Sequence, residues 1–262
     1  MLSFRRAGIA MALVLALGAC SGGGGGDIAK DPAAALRAAS RRTSQAKSVK
    51  MNVAIGSATA KLATGSGAFD FGEKLGRFKL ATTLGVSFDL VLTADKLYLK
   101  NPRAGAGEKP WMSVTEETAA GSPLLGFLSQ LRSQVDPRDA LKNLGTSVKD
   151  VKKVGSEKIR GEDTTHLHGQ VELSDEAIAK APVAIQESMR EAQTRFGEQG
   201  YPVDVWLDDD GRVRRFEYAM SLPVGGGATT ITMDLFGYGE DPEIVLPKPD
   251  EVEEGTPQQS AL

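Results

Sequence analysis

Cysteine is nearly absent from this chain, with one residue, Cys20, in 262. No disulfide can form within the chain, so the fold must rest on a packed apolar core and not on cross-links. Histidine is almost as scarce, at two, which leaves little for a metal centre that takes about three or four ligands. Neither sign of charge dominates: 31 Lys and Arg stand against 34 Asp and Glu. Such a chain lacks the basic stripe that nucleic acid requires. No apolar run reaches the roughly 20 residues needed to span a bilayer. Aromatic residues make up 6% of the chain against 41% apolar residues overall. The core is therefore built from mid-sized aliphatic side chains, which can fill an interior or line a hollow one.

What is present begins at the N-terminus. Arg5 and Arg6 precede an apolar run from Ile9 to Leu17, followed by Gly18, Ala19 and Cys20. A basic start, a short apolar core and small residues before a cut site make a secretory signal peptide. Leu17-Gly18-Ala19-Cys20 resembles the bacterial lipobox. The resemblance implies that the Cys20 thiol takes a diacylglyceryl group and that a peptidase cuts before it, leaving a lipidated N-terminus. Two acyl chains anchor stably where one is marginal. An ordinary signal peptide would instead leave a free reactive thiol with no partner in the chain. The expected division is a signal peptide at 1–19, the lipidated Cys20 with a flexible Gly-rich linker at 20–30, one folded domain at 31–240 and an acidic, Pro-rich tail at 241–262. The linker would let the domain stand off from the bilayer and reorient.

Asp31 and Pro32 open a helix over 32–47, as a cap and a first-turn proline. Its apolar stripe is thin, so it lies on something larger. From 48 to 102 the pattern has period two. Met51, Val53 and Ile55 alternate with polar or small residues, as do Phe69 and Phe71, Phe78 and Leu80, and Val86, Phe88, Leu90 and Leu92. Such alternation marks half-buried antiparallel strands, and the Gly-rich separators mark turns. Trp111 to Val114 is one more short strand. Leu124, Leu125, Leu128 and Leu131 recur at helical spacing after Ser122-Pro123, and Asp136-Pro137 opens a shorter helix with Leu141 and Leu144. Strand texture returns at Val148. Ser174 caps a helix that Pro182 interrupts. The last third is again β, with a hairpin turn at Asp209-Asp210-Gly211-Arg212. About ten or eleven strands in one sheet must twist and curl, and the helices are available to fill the concave side.

Catalytic and metal constellations are weak. His166 and His168 share one face of a strand, but there is no third histidine and Cys20 is committed to lipid, so a surface strand pair is the better reading. Asp208-Asp209-Asp210-Gly211 lacks the glutamate that a calcium loop needs at its twelfth position, which here is Ala219. No nucleophile elbow or phosphate loop is present. Lys149, Lys152 and Lys153 form a small basic patch, either a solvated face or a contact for anionic head groups. Neither an enzyme nor a cofactor is expected.

A wider pattern is now on the page: a lipobox, a glycine linker, a helix opened by Asp31-Pro32, and short strands carrying Phe88-Asp89-Leu90 and Lys96-Leu97-Tyr98-Leu99. Further along come Gly161 to Leu167, Val203 to Asp208, Gly211 to Phe216, and Phe236-Gly237-Tyr238-Gly239. The chain resembles the LppX and LprG type of bacterial lipoproteins, which share the LolA-like fold. The resemblance implies an α+β single domain: a large, curved antiparallel half-barrel with helices over its concave face and an apolar cavity between them. It implies carriage or presentation of lipid or lipid-linked molecules by a monomer anchored, through Cys20, to the outer face of the cytoplasmic membrane. The expected lining is Phe88, Leu90, Leu124, Leu125 and Leu128, and the ligand a lipid or glycolipid. The alternative is a structural or interaction lipoprotein with a filled core, presenting a sheet edge or its tail to a partner protein.

Overall fold

The computed structural model describes residues 28, 30–57, 60–83, 85–101, 104–105, 107–114, 141, 144–145, 147–181, 183–221 and 228–254. They form helix α1 (Pro32–Ser44), strands β1 (Ser48–Gly56), β2 (Lys61–Asp70), β3 (Leu75–Thr82), β4 (Ser87–Leu92), β5 (Leu97–Lys100), β6 (Trp111–Val114), β7 (Val148–Ile159) and β8 (Glu162–Val171), helices α2 (Asp175–Lys180) and α3 (Val183–Phe196), then β9 (Tyr201–Asp208), β10 (Val213–Ser221), β11 (Ala228–Phe236) and β12 (Val252–Glu254). All twelve strands join one sheet in the order β12-β6-β5-β4-β3-β2-β1-β11-β10-β9-β8-β7. Two sequential meanders, β1 to β6 and β7 to β11, meet where β1 pairs with β11. Every pairing is antiparallel except β12 against β6. The sheet is open, with β7 and β12 as its two edges.

The twelfth strand lies in the segment expected to be tail. Gly239 N–H donates to the Ser48 carbonyl at 3.0 Å, and Lys50 pairs with Glu240 at 2.5 Å. Residues beyond then cross to the far edge, where Val252–Glu254 run parallel to Trp111–Ser113. Three residues of strand leave too short an alternation to read from sequence. The other edge is blunted differently. In β7 the register slips between Lys149 and Lys152 and again between Lys153 and Gly155, and Asp150 has a positive φ of 51°. Bulges and exposed lysines on an edge oppose pairing with another chain.

Local chemistry explains the elements. The Asp31 carboxylate accepts the Ala34 N–H at 2.8 Å, so α1 starts where its cap and proline predict. Ser174 caps α2 through the Ala177 N–H at 3.2 Å. Arg160 and Gly161, with φ of 53° and 90°, join β7 to β8 in a two-residue turn whose left-handed residues match strand twist. Asp208 closes the β9–β10 hairpin: it accepts the Arg212 N–H at 2.7 Å and pairs with Arg214 at 2.6 Å. The hairpin reading of that aspartate run is thus the observed one.

The turns sort to two rims. Turns 71–74, 93–96, 160–161 and 209–212 lie at the lower rim. The strand ends Gly56 and Lys61, Thr82 and Ser87, and Lys100 and Trp111, together with α2 and α3, lie at the upper rim. Helix α1 descends between them. Arg37 and Ser40 lie against Gly145, just before β7 begins at the upper rim, while Thr43 accepts the Val213 N–H at 3.0 Å beside the lower-rim hairpin. The chain therefore enters the domain from the upper side.

Between Ala63 and Phe69 the inward positions of β2 are the glycines Gly65 and Gly67. A Cβ on Gly67 would stand 2.3 Å from the Phe78 ring and 2.5 Å from the Arg77 carbonyl oxygen. The missing side chain lets the Phe78 ring lie across the neighbouring backbone. Gly67→Val is expected to destabilise the domain by about 2 kcal/mol or more through overpacking. Urea unfolding reads this directly, and an unchanged midpoint would contradict the packing described.

Candidate functional site on the inward face

The strand register sorts the inward side chains into rows across the sheet. One row runs Leu235, Met51, Gly67, Phe78, Leu90, Leu99 and Met112. The next, one step closer to the upper rim, runs Leu167, Val205, Phe216, Met233, Val53, Gly65, Leu80 and Phe88. A third contains Gly169, Val203, Tyr218, Ile231, Ile55 and Ala63. From β8 onward no charged residue occurs in these rows; on the edge strand β7, Lys153 is the partner of Leu167. This is the continuous apolar face that a curled sheet turns toward its interior.

Burial along the face is uneven. Leu235, Met51, Phe78, Leu90 and Leu99 are buried, as are Leu167, Val205, Phe216 and Met233. Val53, Leu80 and Phe88 in the second row are only half-buried, and so are Tyr218 and, at the start of β9, Tyr201. In the uppermost row Val203, Ile231, Ile55 and Ala63 are buried as well, so the half-buried inward residues form a patch on β1, β3 and β4 together with Tyr218 and Tyr201. α1 supplies Leu36 and Ala39 to the buried part, and the helical residues Leu141 and Leu144 are buried with them.

Phe88 and Leu90, the strand residues expected to line a cavity, do share the inward face. They differ in environment: Leu90 is 4% exposed and closed in by Phe78 and Leu99, whereas Phe88 is half-buried. Leu124, Leu125, Leu128 and Cys20 lie outside the described residues. Val53, Leu80, Tyr201 and Tyr218 join Phe88 in the half-buried patch. Alternation gave the parity of each of these residues, but only the register between distant strands brings them together.

The two tyrosines are the polar groups of this patch. Their rings are 6.3 Å apart, and Tyr218 stacks on Phe216 at 6.1 Å. Burial pushes the Tyr201 phenol up to about 12 and raises that of Tyr218 as well. Both are neutral hydrogen-bond donors throughout the physiological range.

The outer face is polar. A broad, open depression of about 1200 Å³ lies against it, lined by Asn52, Ser66, Lys79, Asp89, Arg215 and Asp234 among others. Val53, Leu80 and Phe88 border it along the strands, but alternation turns their side chains to the opposite face. Arg77 forks onto Asp89, and Arg215 onto Asp234. This surface does not suit acyl chains, since ion pairs of this kind are costly to desolvate. The histidines sit on the same outer side. Asp204 Oδ1 bonds to His166 at 2.8 Å and to His168 at 2.9 Å, and His166 stacks on Trp206 at 4.2 Å. Among the described residues no cluster of metal-ligating side chains occurs. No helix among them is long and apolar enough to cross a membrane.

Comparison with known proteins gives the following. The family model described as LppX_LprAFG lipoprotein matches residues 31–244. The crystal structure of the Mycobacterium tuberculosis lipoprotein LppX is similar, with a TM-score of 0.53 at 17% identity, covering 80% of this chain and 97% of that one. LprF from Mycobacterium bovis gives a TM-score of 0.51 at 13% identity, covering 84% and 97%. At these identities the likeness establishes the fold. No curated protein sequence matches.

Proposed function

The chain belongs to the LppX_LprAFG lipoprotein family, and on that premise we propose that it binds a lipid by its acyl chains in the upper interior of the sheet, as a carrier held at the membrane through Cys20. The observation that carries this is the uneven burial of one apolar face. Val53, Leu80, Phe88, Tyr201 and Tyr218 on that face are only half-buried, whereas Met51, Phe78 and Leu90, next below on β1, β3 and β4, are closed in. Apolar surface left open inside a domain loses roughly 25 cal/mol per Å², and an acyl chain covering it recovers that amount.

The arrangement of the upper rim supports the same reading. The chain enters there through α1, so a lipidated linker would emerge at that rim. Leu62, Val86 and Val183 are exposed apolar side chains at that rim, the last at 84%. A bilayer meeting this end would cover them and bring lipid to the interior without passage through bulk water. Tethering at the outer face of the cytoplasmic membrane follows from the signal peptide. No step needs a catalytic group: the work is transfer of acyl chains between two apolar environments.

The interaction-module alternative draws on the sheet edges. It has less to stand on, because the edge strand β12 is only three residues long and the other edge strand, β7, is bulged and carries lysines.

The test is lipid transfer. A form beginning after Cys20 is mixed with donor vesicles carrying a fluorescent diacyl phospholipid and with unlabelled acceptor vesicles. The rate of label transfer is expected to rise in proportion to protein concentration. A rate no different from that without protein would overturn the carrier reading.

A further inference from the structure

The Tyr218 hydroxyl is not used by the described part of the fold. The Tyr218 ring is fixed on the inward face between Val203 and Ile231, stacked on Phe216 and tilted against Tyr201. Among the described residues the hydroxyl has no hydrogen-bond partner, and the surroundings acting on it are burial and the neighbouring Tyr201. Desolvated phenols normally find a partner. Tyr238 shows that this fold supplies one where it can, since that hydroxyl donates to the Val213 carbonyl. An inward, desolvated phenol left without an acceptor among the described residues, beside the half-buried patch of an apolar face, is a donor waiting for a ligand.

The surroundings narrow the ligand's chemistry. From β8 to β6 the three inward rows contain no charged residue, and Lys153, the partner of Leu167, stands three strands away on the edge strand β7, so an ionised phosphate at Tyr218 would be buried without an adjacent counter-charge, which is costly. A neutral acceptor incurs no such penalty. From β10 to β4 the face spans five strand spacings, about 24 Å along the curled sheet, comparable to the length of a long acyl chain. The half-buried Val53, Leu80 and Phe88 lie on that path.

Resting on the acyl-binding reading, we propose that Tyr218, flanked by Tyr201, is the polar anchor of the interior site and donates a hydrogen bond to an ester carbonyl of an acylglycerol-type lipid, whose chain runs from β10 past Val53 and Leu80 toward Phe88. The anchor fixes how deep the lipid sits. It also discriminates ester-linked from ether-linked lipids, because an ether oxygen is the poorer acceptor.

The test compares dioleoylglycerol with its dioleyl ether analogue, titrated against the soluble chain and against Tyr218→Phe. The wild type is expected to bind the ester about tenfold more tightly than the ether, the equivalent of one well-placed hydrogen bond. Tyr218→Phe should lose that difference, with ester affinity falling to the ether level and ether affinity unchanged. Its unfolding midpoint should not fall, because the substitution removes an unsatisfied hydroxyl and keeps the ring. Equal ester preference in both proteins would overturn the anchor while leaving acyl binding intact. A lowered midpoint together with equal losses for both probes would make Tyr218 a structural residue and also overturn the proposal. If the wild type binds neither probe, the acyl-binding reading fails first and the anchor falls with it.

Discussion

Replacing Phe88 by glutamate is expected to lower the affinity for a diacyl lipid by about 100-fold or more while the domain stays folded. Phe88 is only half-buried on the inward face, so a carboxylate there can reach water when no ligand is present. With a ligand bound, the same carboxylate would be stranded against hydrocarbon. Leu90, two residues on and facing the same way, behaves differently. It is 4% exposed and packed between Phe78 and Leu99, so Leu90→Glu is expected to destabilise the domain by more than about 4 kcal/mol. Lipid binding and urea unfolding, measured on both variants, separate a site from a core. If both variants unfolded the domain equally, the upper interior would be filled core and the half-buried patch would not be a site.

The second large effect concerns Cys20. Cys20→Ser in the full chain is expected to move essentially all of the protein from the membrane fraction to the soluble one. Among the described residues no helix is long and apolar enough to span a bilayer. A diacyl thioether contributes about 0.8 kcal/mol per buried methylene, far more than a surface contact through Leu62, Val86 and Val183 could replace. Fractionation of cells expressing each form, followed by mass measurement of the N-terminal peptide, reads both the location and the lipid. Retention of the serine variant in the membrane would contradict anchoring through this residue.

Legibility in the sequence followed the range of the interactions. Asp31 and Ser174 cap the helices they precede because capping is decided within a few residues. The alternation of Met51, Val53 and Ile55, or of Phe88, Leu90 and Leu92, is equally local and gives the correct face. What alternation does not carry is register. Nothing in the chain announces that Tyr218 stands in the same row as Ile55, or that Phe88 and Leu90 fall on opposite sides of the boundary between accessible and closed interior. That boundary is set by pairings across the whole sheet and by helices laid over it. β12 was hidden for another reason: its three residues pair in parallel with a strand more than a hundred positions away, and their local sequence reads as acidic tail. The two-residue Arg160-Gly161 turn was likewise unmarked, since arginine is not among the residues that usually favour a left-handed first position. The family resemblance, by contrast, was legible from the lipobox and the strand textures, and the match over residues 31–244 agrees with it.

Native mass spectrometry of the chain from residue 20 onward, with Cys20 replaced by serine and purified without detergent, tests the central claim most directly. The account predicts a species heavier than the polypeptide by one acylated lipid, released on denaturation and identifiable by its fragments. Only the bare polypeptide mass, both as purified and after incubation with membrane lipid extract, would contradict it.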